Sequence, residues 1–364
     1  MISIEKANLI AALKKVMPGV EKGATVIDGA DQLLFTGASV SSYNGEIAVS
    51  APCDMQGVSF SVKGVDFYNL VSRMSDVTLS LEVVDNKVKL KAGRTKASMS
   101  LLDSTKVLEL VKDLNLASLE YEKLSDEFIE GVRICALAGN VEPIRGVAVG
   151  KCGDTSAIYE TDNTRVCINV LPETMTPFWV DDGTFNDALK VGTPKEYSVS
   201  AAWLHLKYED GTVFSAKRKD HSAYPFTELA GFLGSYKEAA PLANGRLPSN
   251  ISEAVSRVAI LASGSENKNA RLVELTFNKD ELGLYAVKQG GEASETIPWD
   301  TPMETDPQGI KVWVDTAFLL EASNKVMEFT LCYLDMHDGN PPVLCLAFQS
   351  GNYSQFVSVA AKKS

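Results

Sequence analysis

Two short apolar patterns occur three times each in this chain, in the same order and at nearly constant spacing. In the first pattern, apolar residues recur at helical spacing around a central residue, and the three centres lie 119 and 123 residues apart. Those centres are Leu13, Val132 and Val255. The second pattern contains a shared phenylalanine, and its copies are residues 65–71, 183–189 and 316–322. Because solenoid repeats are only about 20–50 residues long, this period indicates three copies of a small domain.

Each copy predicts the order helix, strands, helix, strands, and alternating polar and apolar residues indicate sheets with one solvated face. We therefore predict an α+β fold of three repeated domains, each with two helices packed on antiparallel sheets. The predicted domains are residues 1–117, 118–243 and 244–364. Residues 231–248 are rich in glycine, alanine and proline and are interpreted as a linker. The predicted helices span residues 3–17, 64–74, 125–138, 183–191, 249–263 and 315–327.

The composition is typical of a globular protein, with 45% apolar and 23% charged residues among 364. No run of 18 apolar residues is present, and the first residues do not resemble a signal peptide. We therefore expect no membrane segment and a cytoplasmic location. The six cysteines lack a C-x-x-C pair and mostly lie in apolar runs, which predicts buried free thiols.

The formal net charge of −12 argues against a protein that binds nucleic acid over its whole surface. Such binding requires cations that displace phosphate counterions. A local basic stripe within an acidic surface is still compatible with this charge. The excess of Asp and Glu is interpreted as a solvated outer surface.

Sequence motifs for catalysis, metal binding and nucleotide binding are absent. The histidines at positions 205, 221 and 337 lack metal-like partners at helical spacing, and we expect them at the surface or half-buried. Asp162 has no companion acid or base nearby, so we assign it to a turn. We therefore predict a protein that is not an enzyme and needs no metal and no cofactor.

Four stretches carry a resemblance to a known family. They are Ala-Gly-Arg-Thr-Lys-Ala-Ser-Met-Ser-Leu at 92–101, Tyr-Glu-Thr-Asp-Asn-Thr-Arg-Val at 159–166, residues 256–297, and Tyr-Ser-Gln-Phe-Val-Ser-Val-Ala-Ala at 353–361. In order and spacing they resemble the bacterial DNA polymerase sliding clamp, the beta subunit of the replicative polymerase. The chain departs from the family where Asn163-Thr164 replace Gly-His, where Ala360-Ala361 replace Pro and a large apolar residue, and where Ala97 replaces an aromatic. These departures suggest a diverged member, encoded by a phage or another mobile element.

The resemblance implies a processivity factor that encircles duplex DNA as a head-to-tail homodimer and tethers a replicative DNA polymerase. A clamp must slide, so its cations should attract phosphates without reading bases. The cations expected to face DNA are Lys14, Lys15, Lys22, Arg133 and Arg257. The expected dimer interface joins Lys96, Ala97 and Met99 of one chain to Ile260 and Leu261 of the other.

The resemblance also implies a pocket for short peptides of DNA polymerases and clamp loaders. One wall would be Thr161, Asn163, Thr164, Arg165 and Val166, and the other Val357, Val359 and Ala361. The altered Asn163-Thr164 and Ala360-Ala361 pairs predict that the pocket prefers the peptide of its own polymerase to a generic clamp-binding peptide.

Three alternatives stay open at this point. The first is a three-domain hydrolase whose site has no recognisable motif. The second is a structural or adhesin-like protein built of three sheet domains. The third is a clamp-derived protein that binds clamp partners without encircling DNA.

Overall fold

The computed structural model describes residues 1–23, 26–75, 77–137, 144–262, 271–303, 305–335 and 341–361. Eight α-helices lie within these residues. They are α1 (Lys6–Val16), α2 (Gly64–Arg73), α3 (Thr105–Asp113), α4 (Asp126–Cys135), α5 (Asp182–Val191), α6 (Phe226–Glu238), α7 (Ile251–Val258) and α8 (Thr316–Lys325).

The strands of the described residues form four antiparallel sheets. The first strands are β1 (Ile2–Glu5), β2 (Gln32–Thr36), β3 (Ser39–Tyr43), β4 (Ile47–Pro52), β5 (Ser59–Lys63), β6 (Thr78–Val84), β7 (Lys87–Ala92), β8 (Thr95–Ser100), β9 (Glu122–Lys123), β10 (Val147–Cys152), β11 (Thr155–Thr161) and β12 (Arg165–Val170). The others are β13 (Phe178–Val180), β14 (Glu196–Val199), β15 (Trp203–Lys207), β16 (Val213–Lys217), β17 (Pro241–Arg246), β18 (Leu272–Phe277), β19 (Glu281–Lys288), β20 (Gly291–Pro298), β21 (Ile310–Asp315), β22 (Glu328–Leu334), β23 (Val343–Ser350), β24 (Tyr353–Ser358) and β25 (Ala360–Ala361). The predicted α+β class is confirmed.

The chain divides into two compact units. Met1–Asp126 and Val180–Lys219 form the first unit, and Glu127–Trp179 and Asp220–Ser364 form the second. The first unit holds the sheets β5-β2-β3-β4-β16-β15-β14-β9 and β1-β6-β7-β8. The second holds the sheets β13-β10-β11-β12-β24-β23-β22-β17 and β20-β19-β18-β21-β25. The three domain boundaries remain a prediction from the sequence repeat.

Each eight-stranded sheet consists of two four-stranded sets that meet at one strand pair. We call the pair β4–β16 the first sheet joint and the pair β12–β24 the second sheet joint. In the first, Ile47 lies opposite Ala216, and in the second, Arg165 lies opposite Val357. In each joint, one strand follows a hairpin turn of the first four-stranded set, and the other strand follows a hairpin turn of the second set.

The repeated helices pack through the apolar faces that the sequence predicts. Helix α1 buries Leu9, Leu13 and Val16, while Lys14 and Lys15 lie in its last turn. Helices α4 and α7 bury their central residues Val132 and Val255 in the same way. Apolar positions spaced three or four apart share one face of a helix, so this face covers the sheet and the opposite face stays in solvent.

The predicted linker at 231–248 is wrong, because α6 and β17 occupy most of it. Helix α6 covers one face of the second unit's large sheet, and its Phe232 and Tyr236 rings lie 5.7 and 5.6 Å from the Phe356 ring. Two glycines lower helix propensity there. The burial of aromatic side chains against the sheet outweighs that cost.

Two expectations about single residue types have mixed outcomes. The six thiols are free, and five of them are buried as predicted, with Cys152 half-buried. His205 is fully buried, which corrects the expectation of a surface or half-buried position. His337 lies outside the described residues. Of the helices that the structure describes, none is long and apolar enough to span a bilayer.

Candidate partner-binding and interface sites

The two walls of the predicted peptide pocket are neighbours in the second sheet joint. Arg165 lies opposite Val357, and the Thr164 carbonyl accepts a hydrogen bond of 2.9 Å from the Ser358 amide. After Ser358 the chain moves to another sheet, where Ala361 pairs with Val312 of β21. The structure thus brings together residues that are almost 200 positions apart, as the resemblance implies.

Only part of this pocket is accessible. Thr161, Val166 and Val357 are buried, and Arg165 is 1% exposed. The residues that reach solvent are the exposed Asn163, Thr164 and Ala361 and the half-buried Val359. The accessible side chains are therefore those of Asn163 and Thr164, which depart from the family pattern, whereas the guanidinium of Arg165 is buried.

Arg165 holds its turn in place through a buried ionic network. Its Nε and Nη2 donate to Asp162 Oδ2 at 2.9 and 2.6 Å, and its Nη1 donates to Glu321 Oε2 at 2.5 Å. The guanidinium carbon lies 3.9 Å from the centre of the Phe318 ring. Glu321 also accepts from Lys325 at 3.0 Å. Two carboxylates and an aromatic face compensate the burial of this positive charge, and Lys325 balances the second carboxylate.

The turn between β11 and β12 depends on a left-handed residue. Asp162 Oδ1 accepts from the Thr164 and Arg165 amides at 3.1 and 2.7 Å, which confirms its assignment to a turn. Asn163 has φ of +67°. Asparagine tolerates this region better than other residues with a Cβ, so Asn163 can replace the family's glycine without changing the backbone.

The predicted DNA-facing cations differ in how they are compensated. Lys14 and Lys22 are exposed, whereas Lys15 forms an ion pair with Asp210 of the first unit. Burial raises the pKa of Asp210 and hydrogen bonds from Lys15 and Thr212 lower it, with a net direction downward. Asp210 therefore stays ionised, and it offsets much of the charge of Lys15.

In the second unit, both predicted cations form ion pairs with acidic side chains at neighbouring surface positions. Arg133 pairs with Glu130 at 2.8 Å, one turn away on α4. Arg257 forms a two-pronged contact with Glu295, at 3.0 and 2.5 Å. This hydrogen bonding raises the pKa of Arg257 and lowers the pKa of Glu295, so both remain charged. The exposed faces of α4 and α7 are therefore less basic than that of α1.

The predicted dimer residues lie at two open sheet edges. Lys96, Ala97 and Met99 belong to β8, the last strand of the first unit's small sheet. Ile260 and Leu261 follow α7 and lie beside β20, the edge strand of the second unit's small sheet. Ile260 is 68% exposed, although it is large and apolar. An exposed apolar side chain next to an open edge is typical of an interface.

Sequence reasoning missed the acids that complete these sites. Glu321 interrupts the apolar pattern Thr-Ala-Phe-Leu-Leu-Glu-Ala, and that interruption was a usable signal for a buried charge. Asp210 and Glu295 gave no signal, because their partners are far away in the sequence. Across the part of the chain that the structure describes, no group of three or more His, Cys, Asp or Glu is placed to hold a metal ion.

Solved structures with this arrangement of strands and helices exist. A DNA polymerase sliding clamp from Bacillus subtilis matches with a TM-score of 0.77 and 13% identity over 99% of both chains. The fold is that of the DNA sliding clamp. DNA polymerase III beta chain from Streptococcus pneumoniae matches with a TM-score of 0.75 and 14% identity over 99% of both chains. A Helicobacter pylori beta clamp bound to a DNA ligase peptide matches with a TM-score of 0.76 and 14% identity over the same shares.

The clamp fold confirms the resemblance on which the sequence prediction rested. By sequence alone, no protein-family model and no curated protein matches this chain. The likeness therefore lies in the order and pairing of secondary-structure elements, whereas the side chains at the surface have diverged. Which surface residues act in this chain has to be argued from its own contacts.

Proposed function

We propose that this protein is a non-catalytic sliding clamp that closes around duplex DNA as a head-to-tail homodimer. The observation that carries the proposal is that β8 and β20 are counterparts of the strands in the two sheet joints, and each has an edge that no other described strand covers. β8 follows a hairpin turn as β16 and β24 do, and β20 follows one as β4 and β12 do. A third joint, between two copies of the chain, completes the pattern.

The two sheet joints predict the register of this third joint. In each joint, the first residue after one hairpin turn lies opposite the fifth residue after the other hairpin turn. These pairs are Ile47 with Ala216 and Arg165 with Val357. The corresponding residues of the open edges are Gly291, which follows the turn after Lys288, and Met99, which lies five positions into β8. An antiparallel pair with Gly291 opposite Met99 places Ala97 opposite Ala293 and Lys96 opposite Ser294.

Side chains at the two edges fit this register. Gly291 has no side chain, and a Cβ built there would lie 3.6 Å from Leu261. Met99 of the second copy can therefore pack over Gly291 against Leu261 and the exposed Ile260. Ala97 and Ala293 allow close approach, and Glu292 of one copy lies near Lys96 of the other. Apolar contact and opposite charge both favour the pair.

Disulfide trapping tests the register. The backbone N–H and C=O groups of Thr95 and Gly291 point into their own hairpins, and those of Ala97 and Ala293, two residues further along each strand, do the same. Ala97 and Ala293 would therefore face each other as a non-hydrogen-bonded pair, with Cα atoms about 4.5 Å apart. This distance suits a disulfide. In a Cys152→Ser background, Ala97→Cys with Ala293→Cys should yield covalent dimers under mild oxidation. The control is Met99→Cys with Ala293→Cys, in which the two cysteines lie on the same face of the sheet but are not directly opposite each other in the proposed register. A control that cross-links equally well, or a protein that sediments only as monomer at micromolar concentration, would contradict the joint.

Encirclement of DNA needs a topological test. The reduced Ala97→Cys/Ala293→Cys protein is mixed with nicked circular DNA and then oxidised, which traps any ring that has opened and closed around the circle. We expect covalent dimers to stay with circular DNA through a high-salt column and to leave when the DNA is linearised. Loss from the circular DNA at high salt would favour a clamp-derived protein that does not encircle DNA.

The attraction to DNA should depend mainly on α1 and the residues after it. Lys14 and Lys22 have no ion pair among the described residues, whereas Arg133 and Arg257 are paired with acids. Each lost phosphate contact lowers the slope of log K against log salt by about 0.9. Lys14→Glu with Lys22→Glu should therefore lower the slope more than Arg133→Glu with Arg257→Glu. Equal slopes for the two variants, or any base-sequence preference, would contradict this assignment.

The second joint is proposed as the docking site for partner peptides of DNA polymerases and clamp loaders. Asn163, Thr164, Val359 and Ala361 supply its accessible surface. The likeness to a clamp bound to a ligase peptide supports a peptide as the partner. Val359→Asp should abolish binding of the peptide from the chain's own polymerase, and that peptide should bind more tightly than a generic clamp-binding peptide. Equal affinity for the two peptides would refute the specificity, and unaffected binding in the variant would place the site elsewhere.

A further inference from the structure

The small sheet of the first unit carries the most basic surface of this acidic chain. Residues 87–96 contain five cations and no carboxylate, although the whole chain has a net charge of −12. On β7, Lys87, Lys89 and Lys91 alternate with buried Val88, Leu90 and Ala92. Since alternate residues of a strand share a face, the three lysines line one solvated face. We call it the lysine face and include Lys96 of β8, which lies directly opposite Lys91.

The lysine face is electrostatically uncompensated at two places. Lys91 and Lys96 are a cross-strand pair of like charge, which destabilises a sheet. Neither they nor Lys87 has a carboxylate within 4.0 Å among the residues that the structure describes, whereas Lys89 lies opposite Glu82 and 3.9 Å from Asp85. An open pocket of about 500 Å³ lies here and is lined by Met1, Glu82, Lys89, Lys91, Lys96 and Ser98 among others.

We propose that the lysine face binds an extended acidic peptide segment, with one carboxylate between Lys91 and Lys96 and a second, four residues along, at Lys87. The distance along β7 from Lys91 to Lys87 is four residues, or about 13 Å. An extended peptide spans the same distance in four residues. In the middle of the pattern Lys89 lies opposite Glu82 and 3.9 Å from Asp85, and its offset charge matches an uncharged residue of the peptide.

The same pattern disfavours a nucleic acid as the occupant. A phosphodiester chain has a negative charge at every step, so one phosphate would face Glu82. Single-stranded nucleic acids are usually bound through aromatic platforms as well as cations. The solvated face is made of lysines with Ser80, Glu82, Val84, Ser98 and Ser100, and it has no aromatic side chain.

The lysine face overlaps the proposed ring interface only at Lys96. In the proposed dimer, Lys96 lies opposite the uncharged Ser294 of the other copy and near its Glu292, whereas Lys87 and Lys91 on β7 remain available. A monomeric chain offers the same surface. The inference thus goes beyond the clamp function and concerns a further contact with an acidic segment of a partner protein.

Fluorescence anisotropy with the full chain and labelled ten-residue peptides tests the proposal. The probe is a threonine- and serine-rich peptide with two glutamates four positions apart. We expect saturable binding that weakens with salt, as for exposed ion pairs. The triple variant Lys87→Gln/Lys91→Gln/Lys96→Gln should bind about tenfold more weakly.

A matched triple variant separates this site from general electrostatics. Lys106→Gln/Lys112→Gln/Lys123→Gln changes the charge equally at exposed positions of the same unit and should alter affinity less than twofold. Equal losses in the two triples would overturn the proposal. So would equal binding of an isomeric peptide with adjacent glutamates, or tighter binding of ten-nucleotide oligo-dT that the first triple abolishes. Circular dichroism of each variant verifies that these exposed changes leave the fold intact.

Discussion

Ile47 and Arg165 occupy the same position in two similar sheets, yet they stabilise their joints by different means. Each follows a tight turn and lies opposite a small apolar residue, Ala216 or Val357. Around Ile47 the buried side chains of the first joint are uncharged, with serine hydroxyls and the buried His205 nearby, and the ion pair between Lys217 and Glu46 is exposed. Around Arg165 the second joint contains a buried network of two carboxylates and a second cation.

The difference shows that strand register does not depend on one kind of contact. Backbone hydrogen bonds and turn geometry set the register in both joints, and the side chains then stabilise it. The uncharged joint should be sensitive to protonation of a buried neutral group. The charged joint should be sensitive to the loss of any one ion. The following predictions test this contrast.

Removing the guanidinium should have the largest effect. Arg165→Met removes the guanidinium that pairs with the buried Asp162 and with Glu321, and breaking a buried pair in this way costs about 3–5 kcal/mol. Hydrogen exchange of β12 and β24, followed by mass spectrometry, measures the loss in the second unit. The control is Arg246→Met, which removes an exposed pair with Glu328 and should cost less than about 1 kcal/mol. Equal losses in both variants would mean that burial of the network is unimportant.

Acidification should weaken the first joint selectively. Burial lowers the pKa of His205 from 6.5 to about 4, and its ring contacts Ser215 and Ser200 at 2.8 and 3.0 Å. As the pH falls, His205 is therefore protonated in the unfolded chain before it is protonated in the folded protein. The stability that neutral His205 contributes is complete above pH 6.5 and is lost as the pH falls toward 4, by about 3 kcal/mol in total.

Hydrogen exchange of β15 and β16 at several pH values checks this dependence. A His205→Gln variant has no titrating group at this position. The free energy of opening, calculated after correction for base-catalysed intrinsic exchange, should therefore lose its His205-dependent change between pH 6.5 and 4 in this variant. A wild-type free energy that is flat in this range would show that folding does not lower the pKa of His205.

The turn of the second joint gives an intermediate effect. Asn163→Ala forces a residue with a Cβ and no local hydrogen bonding into φ of +67°, which costs about 1–2 kcal/mol. Asn163→Gly should cost much less, because glycine adopts positive φ freely. Urea unfolding of the two variants makes the comparison. An equal loss for glycine would indicate that the Asn163 side chain, rather than its backbone conformation, stabilises the turn.

The smallest effect is expected for the ion pair of the first joint. Lys217 contacts Glu46 at 3.1 Å, but both side chains are about half exposed or more. Exposed pairs contribute about 0–1 kcal/mol and are screened by salt. Lys217→Ala should therefore change the urea midpoint little at low salt and not at all at high salt. A loss comparable to that of Arg165→Met would remove the contrast between the joints.

Much of the fold was predictable because it follows from local patterns. Helical periodicity placed α1, α4 and α7, and the shared phenylalanine pattern placed α2, α5 and α8. The turn at Asp85-Asn86 was predictable because both residues tolerate positive φ, which both adopt. Helix α6 was missed because its composition is typical of a linker. Its aromatic residues are stabilised by a sheet whose strands are distant in sequence.

The candidate sites were predictable only as stretches of chain. The sequence placed Thr161–Val166 and the closing strand in one pocket through the resemblance, but it could not tell that Arg165 is buried and Asn163 exposed. Likewise, it could identify Lys15, Arg133 and Arg257 as helix-face cations. It could not identify Asp210 and Glu295, the carboxylates that compensate Lys15 and Arg257 from distant positions in the sequence.

The sequence by itself determined the six repeated helices, since their apolar faces depend on residues only a few positions apart. Only the tertiary structure decided which side chains carry uncompensated charge. Arg165 and Glu321 are 156 positions apart, and Lys15 and Asp210 are 195 positions apart. Coulombic attraction acts over a few ångströms of space, so such pairs exist only after the sheets have brought the strands and helices together.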